Sequence, residues 1–291
     1  MRKVIDRLRV SPHKKVSLKK HDPAWTGGIK DQKVAQVLLD EGVASLTKLQ
    51  DKLYAQDTYS VLVIFQAMDA AGKDGTIRHV MSGLNPQGCQ VFSFKAPSSE
   101  ERDHTYLWRS SNALPERGRI GIHNRSYYEE VLVARVHPEI LESQQLPPAM
   151  KKDKHIWAER FAEINDFERH LVQNGTVVLK FFLHVSKAEQ KRRLLDRIDD
   201  PSKNWKFQIG DVKEREHWKD YMRAYEDMFS HTSTKWAPWY IIPADHKWFM
   251  RAAVAEILCK TLKSLDLEYP EVSKAQRAEL AVARKVLIAD K

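Results

Sequence analysis

Five short runs rich in strand-forming residues, Val61–Phe65, Cys89–Phe94, Arg119–His123, Thr176–Val185 and Trp239–Ile242, alternate with stretches whose apolar residues recur at helical spacing. Runs that are nearly continuous in apolar residues belong to strands covered on both faces, and parallel strands need helical crossovers. The alternation therefore predicts an α/β chain, a three-layer α/β/α sandwich around a five-stranded parallel sheet. The helical stretches agree. Val34, Val37, Leu38, Leu46, Leu49 and Leu53 predict a helix or two over 31–56, and Ile77, Val80, Met81 and Leu84 a helix from Thr76 to Leu84, ended by Asn85-Pro86. Ser98 with Glu101 and Ser186 with Glu189 have capping-box spacing, the first opening a helix around 99–112. Trp157, Phe161, Ile164 and Leu171 stripe a helix that Asn174-Gly175 stops, and Trp218, Tyr221, Met222, Tyr225 and Phe229 stripe another. These aromatic stripes are read as core. Ala252, Ala253, Glu256, Ile257 and Lys260 imply a last core helix.

The first run leads into Gln66-Ala67-Met68-Asp69-Ala70-Ala71-Gly72-Lys73-Asp74-Gly75-Thr76. Strand, small-residue loop, lysine and helix is the order of a phosphate-cradling P-loop. Ala70, Ala71, Gly72, Asp74, Gly75 and Thr76 would bring backbone N–H groups to phosphate oxygens, the helix would add its positive end, and Lys73 would supply a charge. Ala67 stands where the first glycine of the pattern belongs, and Asp74 where Ser or Thr follows the lysine. Asp69 is unusual inside such a loop; a carboxylate beside phosphates makes sense if Mg²⁺ lies between them. The plainer alternative is a small-residue turn with a solvated lysine and aspartate.

The third run ends in His123-Asn124-Arg125-Ser126, with Glu129 and Glu130 one turn on. A carboxylate usually holds metal at this strand tip, and here the position is Asn124. Arg125 has the planar fork that bonds phosphates bidentately, the alternative being a surface ion pair. Glu129 would restore a carboxylate to the site. A third basic group, Lys191-Arg192-Arg193, Arg197, Lys203 and Lys206, runs from a helix into a Pro-broken loop and reads as a lid around 190–215. Twelve histidines show no convincing metal spacing, and no Ser-His-Asp or Cys-His order is present. A phosphate acceptor is already an anionic nucleophile, so positioning and charge neutralisation suffice.

Composition narrows the partners. The chain of 291 residues carries a net charge of +9, which fits polyanions: polyphosphate, nucleotides or nucleic acid. Part of the excess lies in Arg2, Lys3, Arg7, Arg9, Lys14, Lys15, Lys19 and Lys20, within residues 1–30, which lack periodicity and read as a basic, loosely ordered arm. Residues 31–270 read as one P-loop phosphotransferase domain and 271–291 as a helical tail. No apolar stretch reaches membrane length, no secretory signal is recognisable, and two cysteines give no disulfide framework. The expected location is cytoplasmic, with no membrane partner.

The ordered motifs resemble the polyphosphate kinase 2 family, the Walker-type polyphosphate:nucleotide phosphotransferases. The matching pieces are Ala67–Ile77, Asn124–Glu129, Phe181–Lys187, Arg197–Pro201 through Trp205-Lys206, and Thr232–Tyr240. The resemblance covers about residues 30 to 265, and it makes Ala67 and Asp69 family features. It implies phosphoryl transfer from inorganic polyphosphate to AMP and ADP, with GMP and GDP as further acceptors, reversibly and with Mg²⁺ or Mn²⁺. It implies that Asp69 ligates metal, Lys73 holds the transferred phosphate and Arg125 contacts substrate phosphates. Arg193, Arg197, Lys203 and Lys206 would bind polyphosphate or clamp the nucleotide, and Asn124 and Glu129 would lie at the nucleotide. Glu129 resembles the class III branch acting on mono- and diphosphates, others carrying Asn there. Asn124 departs from members with Asp, which puts metal ligation there in doubt. Homodimers or tetramers are also implied. An NTP-dependent P-loop kinase is the second reading, and a nucleic-acid-binding module ranks last.

Overall fold

The computed structural model describes residues 2–290. Its strands are β1 (Ser60–Gln66), β2 (Cys89–Ser93), β3 (Ile120–Asn124), β4 (Thr176–His184) and β5 (Trp239–Pro243). Around them run helices α1 (Arg2–Leu8), α2 (Gln32–Gln56), α3 (Lys73–Val80), α4 (Glu129–Val136), α5 (Ile156–Gln173), α6 (Lys187–Asp199), α7 (Trp218–Thr232), α8 (Lys247–Lys263) and α9 (Lys274–Ala289). The sheet is parallel throughout, in the order β2-β3-β1-β4-β5, with Val63 level with Ile122 on one side and Leu179 on the other. All seven residues of β1 are buried, as expected for a central strand covered on both faces.

The helices form two groups that pack among themselves, α2 and α3 with α8, and α4 and α5 with α7. The connection after β1 runs to one edge of the sheet and those after β3 and β4 run toward the other. Loops at the carboxyl ends of the strands therefore part near β1, where α/β sheets bind ligands.

Local differences from the sequence reading have identifiable causes. The predicted helix over 99–112 is two short turns, Ser99–Arg102 and Trp108–Ser111, although its Ser98–Glu101 capping box forms. Ser186 caps α6 by accepting from the Glu189 N–H, but the box stays half-made. The Ser186 N–H donates to Asp245 at 2.8 Å, and the Glu189 carboxylate instead takes Arg192 and Arg193. The helix after the loop starts at Lys73, three residues before the predicted Thr76, and ends at Val80, short of the predicted Leu84.

The largest correction concerns the first thirty residues. Of these, residues from Arg2 on are described, and they dock on the domain, Arg9 and Val10 against β5 and Val16 and Leu18 against α7. Ile5, Leu8, Val10, Val16 and Leu18 are buried. The Val10 N–H donates to the Trp239 carbonyl at 2.9 Å, Arg9 bridges antiparallel to Tyr240, and the Leu18 N–H donates to Glu226 at 2.7 Å. Sparse apolar residues and prolines hid this, because an extended segment docked on a domain edge needs no internal periodicity. Among the described residues, no helix is long and apolar enough to cross a membrane.

Candidate active site

The phosphate loop, residues 67–72, leaves the end of β1 and turns sharply. Ala70 and Gly72 both have positive φ, 60° and 110°. The φ at Gly72 favours glycine, and a Cβ there would press on Met250 Cε at 3.3 Å. The loop's carbonyls are held from outside. Gln190 Nε2 donates to Asp69 O at 3.0 Å, Arg193 Nη1 donates to Ala70 O and Ala71 O at 3.2 and 2.6 Å, and Lys73 Nζ donates to Ala67 O at 3.0 Å. With the carbonyls so engaged and α3 starting at Lys73, the first-turn N–H groups have no intrahelical acceptor and no side-chain cap, the arrangement that suits an anion. Burial, then the Arg125 charge, pushes Lys73 below its ordinary value, while Asp69, Glu129 and Asp74 pull it back.

Arg125 faces this loop from the tip of β3. Its φ of 66° is unusual for a non-glycine residue and turns the chain after Asn124, while its N–H donates to Phe65 O at 3.0 Å and ties the tip to β1. Its Nη2 donates to Asp69 Oδ1 at 3.0 Å and its Nη1 to Glu129 Oε2 at 3.4 Å. The Glu129 and Asp69 charges raise the guanidinium value against the effect of burial. These three residues share a small cleft with Glu214, Tyr221 and Tyr225. Tyr221 OH donates to Glu214 Oε2 at 2.7 Å. Asp211 lies near enough for Asp69 to help burial raise its value.

Several residues expected at the phosphates are otherwise engaged. Asn124 Nδ2 donates to Asp74 Oδ1 at 2.7 Å, joining strand tip to helix start. Thr76 Oγ1 donates to Gly72 O at 3.0 Å. Arg193 is buried with its donors committed: besides the two loop carbonyls, Nε donates to Glu189 at 2.7 Å and Nη2 to Ala244 O and Asp245 O at 2.5 and 3.1 Å. It clips the loop to the segment after β5. Arg197 pairs with Asp211 at 3.1 Å and Lys203 with Asp200 at 2.6 Å, while Lys206 lies over the exposed Trp205 ring at 4.8 Å. Asp69, Lys73, Arg125 and Glu129 thus come together, and Lys203 and Lys206 stand on a separate exposed loop. Sequence reasoning passed over Tyr221 and Tyr225 as core and missed Gln190; the i, i+4 spacing of the two tyrosines was the available signal.

Among the described residues no group of three or more His, Cys, Asp or Glu side chains is placed to hold a metal ion. Mg²⁺ commonly takes one or two carboxylates with substrate phosphates and water. Asp69 fits that pattern: Oδ1 takes the Arg125 bond, and the half-buried carboxylate sits inside the loop.

A parallel sheet whose first strand runs through a left-handed small-residue turn into a lysine-led helix, opposite an arginine–carboxylate group, defines a P-loop phosphotransferase. The comparisons give the family. The model described as Polyphosphate kinase 2 (PPK2) matches residues 29–270, and the chain belongs to that family. It is 54% identical over 251 residues to an ADP-polyphosphate phosphotransferase of Rhodopseudomonas palustris, covering 86% of this chain and 87% of the relative. It is 44% identical over 273 residues to an AMP/ADP-polyphosphate phosphotransferase of Meiothermus ruber, covering 92% and 97%. The crystal structure of polyphosphate kinase 2 from Arthrobacter aurescens superposes with a TM-score of 0.88 at 41% identity, covering 96% of each chain.

Proposed function

We propose that this chain transfers the terminal phosphoryl group of inorganic polyphosphate to ADP and AMP, reversibly and with Mg²⁺. The observation that carries the reading is the convergence of Lys73, Asp69, Arg125 and Glu129 on one loop and one strand tip. The Rhodopseudomonas and Meiothermus relatives, named for polyphosphate with ADP and with AMP/ADP, support it. GMP and GDP belong to the same acceptor screen.

The terminal phosphate of the donor rests on the N–H groups at the start of α3, with Lys73 moved from Ala67 O to its oxygens. A terminal phosphate oxygen of the nucleotide, held by Arg125, attacks the donor phosphorus. A P–O bond forms to the acceptor, and the anhydride P–O bond breaks toward the shortened chain, which leaves with the electron pair. No protein nucleophile takes part, so catalysis rests on alignment and charge neutralisation. Asp69 would hold Mg²⁺, or Mn²⁺ in its place, and the ion would supply neutralisation of phosphate charge. Glu129 sets how deeply the acceptor enters by holding Arg125. Homodimers or tetramers and a cytoplasmic location belong to the same proposal, the former read by light scattering.

Purified protein with ADP or AMP tests the reading against an NTP-dependent kinase. Nucleotide phosphorylation from polyphosphate is expected; phosphorylation with another NTP alone would overturn it.

A further inference from the structure

The turn between β3 and α4 carries Arg125 and Glu129 on the lining of the cleft and, between them, sends Tyr127 and Tyr128 inward, both fully buried. Their hydroxyls converge on one carboxylate. Tyr127 OH donates to Glu168 Oε1 at 2.9 Å and Tyr128 OH to the same oxygen at 2.8 Å. Glu168 stands on α5, and its other oxygen accepts from Lys180 Nζ at 2.5 Å. Lys180, on β4 and level with Ile64 of β1, also donates to Tyr128 OH at 2.9 Å and to the carbonyl of Thr232, the last residue of α7, at 2.8 Å. Neither charged side chain has any exposed surface. Burial, and then the Glu168 charge, raise both phenols well above their ordinary value, so both hydroxyls stay donors through the neutral range.

The backbone of this turn is strained. Arg125 has a φ of 66°, and a non-glycine residue keeps such a conformation only where its surroundings over-determine it. One tie is the Arg125 N–H on Phe65 O; a second is Ser126 Oγ, which accepts from Gln66 Nε2 at 3.3 Å and from the Tyr128 N–H at 3.2 Å. Both fasten the turn to the end of β1. The tyrosine hydroxyls fasten it to α5, β4 and α7, the elements behind the cleft. Stability alone does not call for an ion pair here, because apolar residues of the same volume usually fill such a space as well. An apolar pair, however, would leave both hydroxyls without a fixed partner.

We propose that Glu168 and Lys180 are positioning residues for phosphoryl transfer: through Tyr127 and Tyr128 they set the backbone of the turn and so aim Arg125 and Glu129 at the acceptor phosphate. The inference rests on the acceptor role given to Arg125 above. Fully buried, neither residue reaches a substrate; the pair acts by alignment, where a displacement of ~1 Å costs up to a hundredfold in rate. Because one carboxylate oxygen serves both hydroxyls, a shift of Glu168 moves the whole segment from Arg125 to Glu129 together.

The test compares wild type with Tyr127→Phe and with the double variant Lys180→Met/Glu168→Leu, in steady-state assays with polyphosphate and ADP. The double variant leaves no charge unpaired, so Tm should move by a few degrees at most. Its kcat/KM for ADP should nevertheless fall about thirtyfold or more. The KM for polyphosphate should stay within about twofold, because the donor rests on the phosphate loop and not on the turn. Tyr127→Phe removes one hydroxyl, keeps the ion pair, and should lower kcat/KM for ADP about threefold to tenfold. It reads the role even where the double variant folds poorly. A cycle with Arg125→Lys separates aiming from packing: in that background the double variant should cost less than about threefold. Wild-type kcat/KM for ADP in the folded variants would overturn the inference. So would an undiminished loss in the Arg125→Lys background, or a rise in the KM for polyphosphate as large as the loss with ADP. Wild-type assays with polyphosphate read the proposed function by themselves. The ratio of variant to wild type, taken with whichever phosphoryl donor the wild type uses, reads the positioning role.

Discussion

Arg125 Nη2 stands 3.0 Å from Asp69 Oδ1, joining the tip of β3 to the phosphate loop through one ion pair. The pair offsets two charges on the lining of one small cleft. In the proposed reaction this partnership would be exchanged on substrate binding, the carboxylate turning to a metal ion and the guanidinium to the phosphates.

Asp69→Asn follows from that exchange. The amide keeps the size and can still accept from Arg125, so the fold should survive, with Tm shifted by a few degrees at most. Mg²⁺-dependent turnover should fall by about a hundredfold or more, the scale seen when a preorganised charge is lost. Turnover close to wild type would remove Asp69 from metal binding.

Glu129→Asn releases one arm of Arg125, whose Nη1 bond to Glu129 Oε2 measures 3.4 Å. The ratio of kcat/KM for AMP to that for ADP should change, because the guanidinium is freed to meet the acceptor at a different depth. Product chromatography from paired assays reads it; an unchanged ratio refutes the acceptor role given to Glu129.

The Glu189 cluster predicts an acid-sensitive segment of the stability curve. Hydrogen bonds from Arg192 and then Arg193 hold its carboxyl down at about 2, against an ordinary 4.5. A depressed folded value means the stabilisation is fully present above about 4.5 and lost as pH falls through about 2. Glu189→Gln should flatten that segment in denaturant titrations at successive pH values. Since Arg193 is the clip on the phosphate loop, the variant should also lower kcat at neutral pH.

A buried polar group behind the site gives a stability prediction. Lys180 Nζ donates to Glu168 Oε2 at 2.5 Å, to Thr232 O at 2.8 Å and to Tyr128 OH at 2.9 Å, and both charged side chains are fully buried. Glu168→Gln leaves an uncompensated buried ammonium and should cost about 3–5 kcal/mol. Lys180→Met with Glu168→Leu removes both charges and should cost much less. Urea denaturation separates the two; equal losses would show that packing, not charge, matters here.

Much of this molecule was legible from one-dimensional patterns. Each of the five strand-forming runs became a strand, because a strand buried on both faces needs apolar residues throughout, and β1 is buried from end to end. The phosphate loop was legible because its small residues and lysine have fixed offsets. What stayed hidden depends on long-range partners. Arg193 has the composition of a phosphate ligand, yet carbonyls from 70–71 and 244–245 occupy its guanidinium. Lys180 reads as an ordinary strand lysine until Glu168 and Tyr128 are brought beside it. Tyr225 lies on an apolar stripe that packs the core and also lines the cleft.

The docking of residues 9–10 on β5 reaches beyond local order. An edge strand offers unpaired backbone groups to any other strand it meets, and β5 is the rim of the sheet after β4. Contacts from Arg9 and Val10 occupy part of that rim, and the buried Val16 and Leu18 hold the covering segment down. The same stretch exposes Lys14, Lys15, Lys19 and Lys20, which sets positive charge beside the covered rim. A segment that reads in sequence as a loose basic arm thus covers part of the sheet's open rim against pairing with a foreign strand.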